Sequence, residues 1–191
     1  MFRFFSVALL ALSFSIAPAP TGMLAAEPAS PYAGQQNRRI KALSEQDIAG
    51  LLAGKGMGFA KSAELNSYPG PLHVLELADP LQLDAAQRGR VERIFAAMKA
   101  RAGELGKNIV EKERALDGLF ATRAITAETL RTLTAEIAQL TGRLRAVHLA
   151  AHLELTGVLS RHQVVRYDQL RGYGGGGGQM DHGAHGSGHG G

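Results

Sequence analysis

In His148-Leu149-Ala150-Ala151-His152 two imidazoles stand at i and i+4, a spacing that puts both on one face of a helix where they can chelate a divalent metal. Their face lies beside the apolar stripe of the helix that carries them, which predicts partial exposure. A pair of surface or interface histidines is the alternative. Zinc proteolysis is excluded, because its helical motif needs Glu directly after the first His and Leu149 stands there. Glu154 points elsewhere on the helix and makes a poor third ligand. A second cluster closes the chain, where His182, His185 and His189 follow Met180 and Asp181 with glycines between them. Such spacing lets several imidazoles converge on one ion, and imidazole suits zinc, copper and nickel alike. Ordering the segment opposes capture, so weak and unselective binding is expected; incidental histidines on an unstructured tail are the alternative. His162 reads as a surface residue, and so does His73 unless the fold brings it to His148. Glu111, Glu113 and Asp117 alternate with Lys112 and Arg114 as a solvated helix face does. With no phosphate-cradling glycine loop, nucleophile elbow or triad, the chain is not expected to be an enzyme, and no cofactor is required.

The paired histidines belong to the second of two long helices. From Asp84 to about Phe120, Val91, Phe95, Met98, Ala102, Leu105, Ile109, Leu116 and Phe120 recur mostly at steps of three and four. Beyond a short turn, for which Thr126 is the expected cap, Leu130, Leu133, Ile137, Leu140, Leu144, Val147, Ala151, Leu155 and Val158 continue the same period. The short turn makes the pair an antiparallel hairpin. Leu149 and Leu153 add a second apolar side near the end of the second helix. That end is expected to pack on the hairpin on one side and on an early or final helix, or a second subunit, on the other. Ser44-Glu45-Gln46-Asp47 opens a short early helix, Asn66-Ser67-Tyr68-Pro69-Gly70-Pro71 is a firm stop, and Val74, Leu75 and Leu77 form another short helix. A final helix runs from Ser160 to about Arg171. The expected fold is therefore all-α, a long antiparallel helical hairpin with shorter flanking helices.

Composition and chain ends set the context. Arg3 followed by an apolar run over residues 4–17, then Pro18, Pro20 and small residues at Leu24-Ala25-Ala26, reads as a signal peptide over 1–26 cleaved near Ala26. An uncleaved anchor is the alternative reading of the same run. A flexible arm is expected over 27–42, a helical domain over 43–173, and a disordered Gly/His-rich tail over 174–191 opened by five consecutive glycines. The mature protein is expected outside the cytoplasm, without stable membrane insertion. The absence of cysteine removes disulfides and thiolate metal sites. A net charge of +4 with both signs interspersed, and only 6% aromatic residues, argues against a nucleic-acid partner.

One motif occurs twice: Leu83-Asp84-Ala85-Ala86-Gln87 and Leu159-Ser160-Arg161-His162-Gln163. In each, Asp84 or Ser160 can cap backbone amides while Gln87 or Gln163 reaches back to the cap residue. The spacing resembles the Leu-Thr-x-x-Gln motif, found twice in periplasmic proteins of the Spy and CpxP family, with Asp84 and Ser160 in place of Thr. The resemblance covers roughly residues 44–173 and implies an all-helical, cradle-like homodimer. It further implies ATP-independent binding of unfolded client proteins, for which Arg88, Arg90, Arg93, Lys99 and Arg101 are candidate contacts. The metal-responsive branch of that family, which includes ZraP and CnrX, binds metal through histidines that include some on the helix before the second motif, where His148 and His152 stand. The early-helix histidine pair of the nickel sensor is missing, since residues 27–72 contain no His. A client-binding stress-protection protein, possible metal modulation included, is the leading expectation; a zinc, copper or nickel sensor or buffer is the alternative.

Overall fold

A computed structural model describes residues 30–173. The expected signal segment and the tail with His182, His185 and His189 lie outside the described residues. The chain divides into a short unit ending at Ala33 and a second unit beginning at Gly34, which carries all the helices described. After a 3-10 turn at Gln35–Asn37 come α1 (Glu45–Leu52), α2 (Lys61–Glu64), α3 (Pro71–Glu76), α4 (Ala85–Ala121), α5 (Ala127–Leu155) and α6 (Arg161–Leu170). The fold is all-α, and α4 and α5 form the expected antiparallel hairpin.

Local chemistry explains where the helices start. Ser44, Asp84, Thr126 and Ser160 each accept a hydrogen bond from the backbone N–H three residues on, and the side chain at that third position accepts from the cap's own N–H. Each such box satisfies two amides that the helix cannot, and losing a cap costs about 1 kcal/mol. Pro71 stands at the first position of α3, where its missing N–H costs nothing. The end of α1 lies close on α4, where a Cβ on Gly54 would be 2.5 Å from the Lys99 carbonyl oxygen. A Cβ on Gly106 would lie 2.1 Å from the Leu51 carbonyl oxygen, so no larger residue fits that crossing.

Two apolar clusters hold the helices. One gathers Ile48 and Leu51 of α1, Ala102, Leu105 and Ile109 of α4, and Leu144 of α5. The other joins Val74 of α3, Val91 and Ile94 of α4, Ala151 and Leu155 of α5, and Tyr167 of α6. Ile40 is 1% exposed and belongs to the first cluster, and the Lys41 amide donates to Asp117 Oδ1 at 3.1 Å. The last residues of the segment expected to be a free arm are thus pinned to the domain.

Burial corrects the reading of α5. At 100° per residue, Leu144, His148, Ala151, His152 and Leu155 occupy an arc of about 100°, and all are buried. The histidines lie within the buried stripe, His148 at 2% exposure and His152 at 7%, and not half-open beside it. The cause is the packing of α2 and α3 against this end of α5, which turns the buried face toward them. Leu153 sits about 100° further round and is 61% exposed, so no helix among the described residues covers the expected second apolar side there. Phe120 and Leu130, near the hairpin turn, are exposed as well.

Candidate metal site

The two histidines are brought to α2 and α3 by the turn that precedes Pro71. His152 Nδ1 lies 2.7 Å from the Tyr68 carbonyl oxygen. A carbonyl can only accept, so Nδ1 carries a proton, and in the neutral ring the lone pair is on Nε2. A backbone carbonyl on the far nitrogen is the usual device for orienting a metal-binding imidazole. One turn earlier, the Phe59 ring stacks on His148, with centroids 6.0 Å apart and planes 7° from parallel. His148 Nε2 is buried and has no hydrogen-bond partner. Leaving such a nitrogen unpaired costs about 1–3 kcal/mol. Burial, helped by the neighbouring His152, holds His148 below the ordinary imidazole pKa, so it is neutral at pH 7 and its lone pair is free of protons.

Glu64, the last residue of α2, supplies the anionic group. Its Oε1 accepts from the Tyr167 hydroxyl at 2.6 Å, from Arg171 Nε at 3.2 Å and from the Tyr173 hydroxyl at 3.2 Å. Its Oε2 is buried without a hydrogen bond and lies 3.8 Å from His152 Nδ1. Between carboxylate and imidazole sits Gly70. A Cβ on Gly70 would be 3.2 Å from Glu64 Oε2 and 3.2 Å from His152 Nε2, so the glycine leaves open a space that both donors border. Glu64, His148 and His152 line one cavity of about 600 Å³, together with Met57, Met98 and His73.

Two imidazole nitrogens and one carboxylate oxygen are a donor set that zinc, nickel and copper accept. Among the described residues no three such side chains stand close enough to hold an ion without adjustment. His148 and His152 would hold the metal, and Glu64, which lines the same cavity, would offset its charge. The cavity is also lined by Lys55, Lys61 and Lys99, so the carboxylate shares it with three cations.

The remaining candidates are dispersed. His73 sits on the cavity rim, its Nδ1 2.9 Å from Glu76 Oε2, and His162 is exposed in the first turn of α6. Arg88, Arg90, Arg93, Lys99 and Arg101 are exposed on α4; Arg88 is paired with Asp79 at 3.0 Å and Lys99 lies over the Phe95 ring. The two motifs, by contrast, meet. Gln87 Nε2 donates to Gln163 Oε1 and Gln163 Nε2 to Gln87 Oε1, both at 2.9 Å. Each amide also bonds a carbonyl from the other motif's side, Gln87 with Val158 O and Gln163 with Leu81 O. Their role is to fasten the start of α4 to the start of α6.

Sequence reasoning missed Glu64, Phe59, Tyr68 and Gly70. Only the Tyr68-Pro69-Gly70-Pro71 turn carried a signal, since it fixes backbone near whatever packs on it. A family model described as heavy-metal resistance matches residues 70–166, a span that includes Gly70, both histidines and both glutamine motifs. No curated protein and no solved structure matches the chain.

Proposed function

The chain belongs to the heavy-metal resistance family, and from that premise we propose that it binds a transition-metal ion, zinc, copper or nickel, through His148 and His152 as a sensor or buffer. The observation that carries this is one cavity lined by His148, whose buried Nε2 has no hydrogen-bond partner, by Glu64, whose Oε2 takes no hydrogen bond, and by the pre-oriented His152. A site of that kind takes up the ion by exchanging its hydration for buried nitrogen and oxygen donors. Calorimetric titration of Zn²⁺, Cu²⁺ and Ni²⁺ tests it. Binding that persists in the triple variant His182→Ala, His185→Ala, His189→Ala and disappears in the pair His148→Gln, His152→Gln supports the cavity as the site. Binding that depends on the tail alone overturns it.

The proposal extends to setting and ancestry. The residues 4–17 run supports export to the periplasm, and the paired capping motifs support kinship with the Spy and CpxP proteins. No helix among the described residues is long and apolar enough to cross a membrane. A homodimer belongs to the same proposal, supported by the exposed Phe120, Leu130 and Leu153; sedimentation equilibrium at micromolar concentration reads it, and a monomer removes it. Client binding by the exposed arginines and Lys99 is a separate activity, read by suppression of aggregation in the histidine-pair variant.

A further inference from the structure

We propose that Tyr167 and Arg171, in and just beyond α6, are positioning residues of the metal site, so that metal binding and the seating of the C-terminal helix are linked. The inference rests on the metal-binding function proposed above and assigns it a regulatory partner within the chain. Glu64 divides its carboxylate between two tasks. Oε1 takes donors only from the end of the domain: the Tyr167 and Tyr173 hydroxyls and the Arg171 guanidinium. Oε2 takes none and lies 3.8 Å from His152 Nδ1, on a residue that lines the cavity with the histidines. A carboxylate on a four-residue helix has little local structure to hold it, so the three donors fix which way Oε2 points.

The donors are themselves anchored. Tyr167 is fully buried in the second cluster, and its hydroxyl also accepts from the Gly70 N–H at 3.3 Å. One phenol therefore touches both the glycine that leaves the space open and the carboxylate that borders it. The Tyr167 hydroxyl remains a donor throughout the physiological range, because burial and the Glu64 carboxylate push its pKa upward. Arg171 is the C-terminal cap of α6. Linkage is reciprocal: if α6 must be seated for Glu64 to meet the ion, the ion must favour seated α6 by the same factor.

Zn²⁺ titrated into the full chain tests this. Tyr167→Phe and Arg171→Gln, each keeping most of the side-chain volume, are expected to weaken Zn²⁺ binding about tenfold or more, the usual effect of removing a partner behind a metal ligand. In a Glu64→Gln background the same two changes are expected to add little, because there they no longer have a ligand to position. Ile109→Val, a core change in the other cluster, controls for lost stability and should leave the affinity alone. Backbone hydrogen exchange over residues 161–173 is expected to slow on adding Zn²⁺ in the wild type and not in Glu64→Gln. Unchanged affinity in Tyr167→Phe and Arg171→Gln, with binding still dependent on His148 and His152, overturns the linkage and leaves the metal function standing. Binding independent of His148 and His152 overturns both.

Discussion

At the scale of single residues the cavity depends on an atom that is absent. Gly70 has φ −88° and ψ 139°, a conformation open to any residue, so glycine is not required there by the backbone. What alanine would change is space, since its Cβ would lie 2.9 Å from His152 Cε1 and border the carboxylate. Gly70→Ala is therefore expected to cost only about 1 kcal/mol of stability, by a slight displacement of the ring. The same displacement should raise the Kd for Zn²⁺ about tenfold, which calorimetry beside a thermal melt will separate. His148 makes a second expectation at this scale. Its pKa is lowered in the folded protein, so between that value and the unfolded value of about 6.5 the unfolded chain holds more protons. Stability of the metal-free protein then falls as pH drops below about 6.5 and the unfolded state is favoured. The titratable groups that share the cavity with His148 are His152, His73, Glu64, Lys55, Lys61 and Lys99, and of these His152 opposes its protonation. Urea denaturation between pH 5 and 8 should show that slope, and His148→Gln should flatten it.

Among the elements, the paired glutamines are the joint to test. Gln87 and Gln163 each spend their amide on the other, on a carbonyl of the opposite segment and on their own cap. Gln87→Ala or Gln163→Ala should cost about 1–3 kcal/mol, because each strands part of the surviving amide. The double variant should cost less than the two together, since the second change removes a group the first has already orphaned. Equilibrium urea unfolding measures all three. The helix starts themselves were legible, because a cap and its third residue are four positions of sequence. Their meeting was not, since 76 residues separate the two glutamines and nothing local to either records the other. The same limit explains α5. Its period of three and four was legible from Leu130 to Leu155, yet the buried arc is decided by α2, whose single turn hides it from periodicity, and by α3, which was legible as a helix but not as a partner of α5. Histidines read as half-open became core, and Glu64, on a helix of one turn, carried no pattern at all.

Taken as a whole molecule, the site lies where the two apolar clusters meet. Along α5, Leu144 belongs to one cluster and Ala151 to the other, with His148 between them. Phe59, which stacks on His148, packs against the first cluster, while Glu64 is tied to Tyr167 of the second. An ion held there bonds to groups that only the folded arrangement brings together, so it stabilises the folded state by mass action. At a free concentration of 100 times Kd the gain is about 2.7 kcal/mol. For a domain of this size that corresponds to a rise in Tm of roughly 10 °C. Because both clusters share the site, the melt should move as one transition, and a chelator should return it to the metal-free temperature. Metal gathered by the tail histidines without the helices would be held equally by the folded and the melted chain, and would leave Tm where it was. A thermal scan with and without Zn²⁺ thus separates a site built into the fold from one appended to it. A shift that survives the triple tail substitution and vanishes with His148→Gln, His152→Gln places the stabilising ion among the helices; an unmoved Tm at saturating metal removes it from them.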